Sequence, residues 1–280
     1  METATGIFVD DPDGASSPPN TGRTQQMIAI FSDVHANRAA LSAVTEDLRD
    51  KDVDRLICLG DTVGYGPSPR WCVDAVRELC DVVLCGNHDF ALIYGAEDFS
   101  QLAASSISYH RKLLMPRPGH SSEKTARERW DYLKSLPHRR TADNRLYVHG
   151  SPRNPIREYL RAEDCGRNSQ KLADNFAQFE NVCFVGHTHR PGIITSEYQF
   201  IFPRDIGVGE SYTWDTGSKT IVNVGSVGQP RDGDTRACYV TLDDRSLTYH
   251  RVPYDVESVA RVIEQSGLGP DLAERLREGM

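Results

Sequence analysis

Five short runs in this chain collect the residue types that hold metals and move protons. They are Ser32-Asp33-Val34-His35, Gly60-Asp61, Gly86-Asn87-His88-Asp89, His149-Gly150 and Gly186-His187-Thr188-His189. Carboxylate, imidazole and amide oxygen are donors that suit divalent first-row cations. Asp33 and His35, two residues apart where a strand opens into a loop, can face one centre. His187 and His189 form a His-x-His pair, a recurrent metal-binding arrangement. Asp61 follows a glycine and could be shared between two ions. Three consecutive side chains cannot all reach one ion, so Asn87 reads as a ligand and His88 as an acid/base group. Taken singly, each run is also explained by a loop turn with hydrogen-bonded histidines.

What separates the two explanations is where the runs fall. The apolar segments Met27 to Phe31, Leu56 to Leu59, Val82 to Cys85, Leu146 to Val148 and Val182 to Val185 read as buried strands. Each run of chemistry-bearing residues begins at the carboxyl end of one of them, which is where open α/β sheets place their ligand sites. Of nine histidines, five lie in these runs, whereas His110, His120, His138 and His250 lie in helical or solvent-like contexts. The spacing of Leu41, Val44 and Leu48, and of Trp71, Ala75 and Leu79, predicts helices between the first three strands, and such alternation predicts parallel pairing.

Residues 91–140 lack strand patterns. Leucine-bearing segments at Leu102 to Leu114 and Trp130 to Leu136 predict a helical insertion beside the site. Strand patterns return near Gln199 to Ile201, Thr220 to Val224, Ala237 to Leu242 and Leu247 to Val252, so the second half is mostly β. Residues 1–26 hold Asp-Pro and Ser-Pro-Pro punctuation with little to bury, and predict a disordered tail. Residues 27–253 read as one domain, and 254–280 as a carboxyl-terminal helical extension.

Bulk properties narrow the function classes. Hydrophobic residues are 39% and charged residues 26% of 280, which suits a globule with a sizeable core. A formal charge of −8 speaks against stable binding to a nucleic-acid backbone, although bound cations can reverse the field locally. No apolar run approaches transmembrane length and the amino terminus lacks a leader pattern, so a cytoplasmic protein without membrane contact is expected. The seven cysteines include Cys58, Cys85 and Cys183 in strand-like runs, where they read as small core hydrophobes. Oligomeric state is not written in the sequence.

In order and spacing, Asp33-x-His35, Gly60-Asp61, Gly86-Asn87-His88-Asp89, His149 and Gly186-His187-x-His189 resemble the calcineurin-like metallophosphoesterase superfamily. The resemblance implies an α/β fold, a four-layer α/β/β/α sandwich of two mixed sheets flanked by helices. It implies that Asp33, His35 and His189 bind one metal, that Asn87, His149 and His187 bind the other, and that Asp61 bridges them. His88 would be the catalytic acid/base residue, with Asp89 beside it in the catalytic group. Protein Ser/Thr phosphatases and dinucleoside tetraphosphate hydrolases usually carry an Arg a few residues beyond the bridging Asp. Here that stretch is Val63-Gly64-Tyr65-Gly66-Pro67, and Asp89 stands where protein phosphatases have Glu. With Gly150-Ser151-Pro152-Arg153 and the run Asn223 to Arg231, the chain looks instead like the small prokaryotic phosphodiesterase-like group. Arg153 and Arg231 are candidate substrate anchors, each with a loop salt bridge as the competing role.

These residues imply hydrolysis of a small phosphorylated substrate, a phosphodiester or phosphomonoester. A hydroxide bridging two divalent cations would attack phosphorus and His88 would protonate the leaving group. Two such ions against Asp33 and Asp61 leave a local surplus of about +2, so an acidic protein can still attract phosphate. The donor set favours Mn or Fe, with Zn and Ni compatible and Mg disfavoured by so many histidines. A protein phosphatase, a dinucleoside polyphosphate hydrolase and a non-catalytic metal-bound scaffold are the alternatives, and the intact His88 and ligand positions speak against the scaffold.

Overall fold

Alternation within the first strand defines the layers. The computed structural model describes residues 26–207, 210–215 and 217–280, so all but the last residue of the expected tail lies outside the described residues. In β1 (Met27–Phe31), Ile28 and Ile30 join one apolar cluster while Ala29 and Phe31 join another. A strand with both faces buried lies inside a layered sandwich. The Ala29 face is covered by helices α1 (Arg38–Leu48), α2 (Pro69–Leu79), α4 (Gln101–Leu114) and α5 (Glu123–Ser135), through Leu41, Val73, Ile107 and Leu133.

The Ile28 face meets a second sheet. Ile28, Ile30, Ile57 and Leu59 pack there with Tyr147, Val182, Phe184 and Val222, all buried. The far face of that second sheet, with Leu146, Val148, Cys183 and Ile221, is covered by Leu172 and Phe176 of α6 (Ser169–Phe176). Three apolar layers between four structural layers make the α/β/β/α sandwich that the resemblance implies.

The first sheet runs β3 (Val82–Val83), β2 (Arg55–Cys58), β1, β11 (Ala237–Asp243), β12 (Ser246–Val252), β9 (Ser211–Thr213). The second runs β4 (Arg139–Ala142), β5 (Arg145–Val148), β6 (Val182–Val185), β10 (Thr220–Asn223), β7 (Gly192–Thr195), β8 (Phe200–Ile201). β1, β2 and β3 pair in parallel, as do β5, β6 and β10, while β11 and β7 join antiparallel, so both sheets are mixed. Parallel pairing aligns the carboxyl ends of three strands in each sheet. The Val227 amide then donates to the Ser32 carbonyl at 3.0 Å and the Gly228 amide to that of Asp33 at 2.8 Å, joining the loop ends of the two sheets.

The remaining elements are α3 (Asn87–Tyr94), α7 (Pro203–Ile206), α8 (Val256–Ser266) and α9 (Pro270–Glu278). α8 and α9 bury Val259, Ile263, Leu272 and Leu276 against Tyr65, so the end of the chain covers the loop that follows Asp61. Three strands, β4, β7 and β9, depart from expectation. β4 begins at Arg139, inside the stretch expected to be helical, and its exposed Arg-Arg-Thr-Ala sequence carries no apolar alternation to signal an edge strand. β7 is short and opens on Gly192, where any Cβ would sit 2.1 Å from the Phe200 ring. All seven cysteines are free, and no helix of the described residues is long and apolar enough to cross a membrane.

Phe184 stacks on Tyr147 at 5.4 Å between the sheets and is fully buried. Phe184→Ala is expected to lower unfolding free energy by about 3–5 kcal/mol in urea titrations. A loss under about 1 kcal/mol would mean that the inter-sheet layer does not hold the sandwich together.

Candidate metal centre

Three of the five loops that carry the candidate ligands turn at once through the left-handed region. Asp33, His35, Asp61, His187 and His189 have φ of 56°, 46°, 53°, 64° and 59°. Non-glycine residues pay roughly 1–2 kcal/mol for this conformation, so such a concentration marks a site whose geometry is enforced by its surroundings. Backbone bonds enforce it: the Asp33 amide donates to Gly60 O at 3.0 Å, the His35 amide to Asp61 O at 2.9 Å and the Gly186 amide to His149 O at 2.9 Å. Glycine is required beside Asp61, because a Cβ on Gly86 would lie 2.0 Å from Asp61 Oδ1.

The side chains form two foci that share one carboxylate. In the first, His35 Nε2 and His189 Nε2 are 2.9 Å apart, with Asp33 Oδ1 3.1 Å from His189 and 3.6 Å from His35. In the second, His149 Nε2 lies 3.0 Å from Asn87 Oδ1 and 3.2 Å from His187 Nδ1. Asp61 Oδ2 stands between them, 3.6 Å from His35 Nε2 and 3.4 Å from His149 Nε2. All of these residues are buried. Ligands bonded to one cation at about 2.0–2.2 Å come to lie about 3.0–3.6 Å from one another, and the sets Asp33, His35, His189 and Asp61, His149, His187 each meet that condition closely enough to hold an ion.

The outer hydrogen bonds decide which ring nitrogens carry protons. His35 Nδ1 is 2.9 Å from Val63 O and His189 Nδ1 is 2.5 Å from Gln229 O. A carbonyl only accepts, so both Nδ1 atoms donate, and in the neutral rings both Nε2 atoms present lone pairs to each other. His187 Nε2 likewise donates to Arg157 O at 3.2 Å, which leaves its Nδ1 lone pair directed at His149. Facing lone pairs repel unless a cation or proton lies between them. Asp33 Oδ1 is buried with no hydrogen-bond partner, as expected of an atom aimed at an ion. The residues present therefore fit a metal.

Electrostatics agree with a site shaped around positive charge. Burial works to raise the Asp33 carboxyl, yet the neighbouring imidazoles, His189 foremost, hold it well below the usual range. Asp61 is depressed in the same way, with His149 and His88 outweighing burial. Burial would lower His149, but the Asp61 charge outweighs it and pushes the imidazole up to about 9, so here a proton neutralises Asp61. Burial, with His149, pulls His187 down to about 3; burial, with Arg231, does the same to His189.

Of the other candidate residues, Asp89 and Arg153 are held by partners outside the centre, whereas Arg231 and His88 are not. Asp89, placed with the catalytic residues, accepts from the backbone amides of Thr62, Val63 and Gly86 at 3.1–3.3 Å and is fully buried. Burial and the Asp61 charge raise it to about 7. It ties the Asp61 loop to the start of α3 and does not touch the open centre. Arg153 directs its guanidinium to Glu158 at 2.6 Å and Asp174 at 2.7 Å, so its loop salt bridge is the arrangement present. Arg231 has no carboxylate partner among the described residues; it donates to Gln229 Oε1 at 2.7 Å and lies over the Tyr65 ring at 5.5 Å. His88 stands at the mouth of the site, its ring 4.9 Å from that of His35 and 4.6 Å from that of Tyr65.

Residues missed in the sequence support this shell. Tyr159 stacks on His187 at 3.8 Å, and Tyr65 packs on His35 at 4.7 Å. His110, read as needing no role, accepts from the Gly64 amide at 2.9 Å through Nδ1 and reaches Gly66 O at 2.7 Å through Nε2. It clamps the loop that carries Tyr65. Tyrosine and histidine on helices or long loops bear no local signature of such contacts.

Known proteins agree with this geometry. Residues 27–246 match the model of the calcineurin-like phosphoesterase superfamily domain. A Methanocaldococcus jannaschii protein described as uncharacterized is 31% identical over 262 residues, covering 90% of this chain and 98% of its own. The crystal structure of a metallophosphoesterase from Sphaerobacter thermophilus is 38% identical, with a TM-score of 0.76 over 91% of this chain and 99% of that one. A hypothetical protein from Pyrococcus horikoshii, 17% identical, shares the fold with a TM-score of 0.69 over 91% of this chain and 98% of that one. The chain belongs to the calcineurin-like phosphoesterase superfamily, whose members are metal-dependent phosphoesterases.

Burial lowers the His110 imidazole to about 4. A histidine neutral in the fold but protonated when unfolded contributes stability that is present above the unfolded pKa near 6.5 and lost as pH falls toward 4. Between pH 7 and pH 5 its share should fall by roughly 2 kcal/mol. Urea titrations at both values should therefore show a smaller acid-induced loss for His110→Gln than for the wild type. Equal losses would exclude a neutral buried His110.

Proposed function

We propose that the protein hydrolyses phosphodiesters or small phosphomonoesters with two divalent cations. Asp33, His35 and His189 hold one ion, Asn87, His149 and His187 hold the other, and Asp61 bridges them. The observation that carries this reading is the His35–His189 contact, in which lone pairs face each other across a buried gap of 2.9 Å, beside the His149–His187 contact at 3.2 Å, with Asp61 Oδ2 close to both His35 and His149. Two cations in these places would lower the pKa of a water for in-line attack and neutralise charge on the phosphoryl oxygens.

The chain's own residues set the rest of the reaction. Carbonyl oxygens of Val63, Gln229 and Arg157 fix the rings of His35, His189 and His187, so the ligands do not reorganise as charge develops. Burial, with the charges of His35 and Arg231, holds the His88 imidazole well below its ordinary range against the pull of Asp61. An arriving phosphate adds negative charge and moves that value upward. His88 then holds a proton while substrate is in place and passes it to the leaving alkoxide. Mn or Fe suits these donors best, with Zn or Ni compatible.

No side chain from Val63 to Pro67 can replace the missing arginine. A Cβ on Gly64 would sit 2.3 Å from His88 Nδ1, and one on Gly66 would sit 2.2 Å from His35 O. The loop is closed around imidazoles, which supports a phosphodiesterase-like enzyme over a protein phosphatase.

A turnover panel of bis(4-nitrophenyl) phosphate, phosphomonoesters, nucleotides and a phosphopeptide with Mn²⁺ should show hydrolysis of small esters and not of the phosphopeptide. His88→Ala should keep bound metal and lose about 10²–10⁴ in rate on esters with poor leaving groups. Unchanged turnover in that variant would refute the acid role, and silence across the panel would favour the scaffold alternative.

A further inference from the structure

A cleft of about 580 Å³ borders the loop that carries His187 and His189, and its lining includes Tyr159, Arg161, Arg167, Thr188, Arg190 and Arg231. That volume lies within the range of small-ligand sites. Thr188 separates the candidate ligands His187 and His189, and Arg190 follows directly, so one wall is continuous with the metal-facing loop. The opposite wall is the segment from Tyr159 to Arg167.

Charge along this cleft is one-sided. None of the four arginines has a carboxylate partner among the described residues, although most other surface arginines here do. The cleft contains two acids, and Asp164 is already held by Lys171 at 2.7 Å. Arg161, Arg167 and Arg190 are exposed and Arg231 is half-buried. The four guanidinium groups outnumber the two acids and repel one another, and low-dielectric walls concentrate their field on whatever enters. In a chain of formal charge −8, such a concentration of free guanidinium groups is fitted to an anionic guest.

The cleft is poorly fitted to a nucleobase. Its one aromatic side chain, Tyr159, has the His187 imidazole stacked at 3.8 Å and the Arg161 guanidinium over the ring at 4.6 Å, which leaves little face for stacking. Guanidinium forks match phosphate oxygens, and a terminal phosphate offers three acceptors and a charge of about −1.5 to −2.

We infer that this cleft binds a second phosphate of the substrate, on the part of the molecule that is not cleaved, and so selects phosphoesters carrying a further phosphate group. This rests on the proposed hydrolase reading and adds to it the class of substrate. Arg161 and Arg167 on one wall, and Arg190 and Arg231 on the other, take the phosphate between them while the scissile ester reaches the metal centre.

The test uses two dinucleotides with a phosphorothioate internal linkage, identical except that one carries a 5′-phosphate. Dissociation constants are measured by calorimetry on the Mn²⁺-loaded protein. The 5′-phosphate should tighten binding roughly tenfold or more, the scale of a charge-assisted contact. In R161Q/R167Q this advantage should fall below about threefold, while R161K/R167K should keep most of it. A charge-matched control, R49Q/R127Q, removes two exposed arginines paired to Glu46 and Glu123 and should keep the advantage in full. Equal affinities in the wild type, no detectable binding of either dinucleotide, or an advantage undiminished in R161Q/R167Q would each overturn the proposal. Turnover of the 5′-phosphorylated dinucleotide with an ordinary phosphodiester linkage, by the same preparation, judges the hydrolase reading separately: its absence beside an intact 5′-phosphate advantage would sink that reading and leave the cleft standing.

Discussion

The Asp61 carboxylate lies fully inside the protein between two groups of imidazoles, and burial alone would drive it to take up a proton. It stays ionised because His149 and His88 lie close and because the His88 amide donates to its Oδ1 at 2.8 Å. Only Oδ2 is left to face both foci. A buried anion with one free oxygen, placed between two groups of imidazoles, is suited to sharing positive charge on either side. The other ligands, the loops that carry them and the two sheets behind those loops are arranged around that carboxylate.

The fold achieves this through alignment. Parallel pairing within each sheet brings three strand ends to one edge, and the bonds from Val227 and Gly228 to Ser32 and Asp33 join the two edges. Left-handed conformations at five of the candidate ligands then turn their side chains into the gap. Such strain persists only where surrounding bonds over-determine it. Here they do so through Asp89, which accepts three amides, and through His110, which holds the Gly64 and Gly66 turn from a helix far along the chain.

Much of this was legible in the residues themselves. Short apolar runs ending in Asp, Asn or His announced both the strands and the side chains that gather at their ends, since a strand end is where a loop can present a side chain. Period-two and helical spacing placed β1, β2, β5, β6, α1 and α2. What stayed hidden depends on contacts between distant segments. Tyr65, Tyr159 and His110 act through neighbours that only the tertiary fold supplies. Asp89 looked catalytic because it adjoins His88, yet helical geometry turns adjacent side chains apart and directs it to backbone amides. Arg153 and Arg231 were equivalent in sequence; nearby Glu158 and Asp174 engage the first, and no acid among the described residues engages the second.

The most direct measurement of the central claim is a Mn²⁺ titration of chelator-stripped protein followed by calorimetry and metal analysis, for the wild type and for Asp61→Asn. A shared carboxylate predicts two ions per chain in the wild type and weakened binding at both positions in the variant, because one oxygen serves both. One ion or none in the wild type, or two ions held with undiminished affinity by Asp61→Asn, would contradict the account.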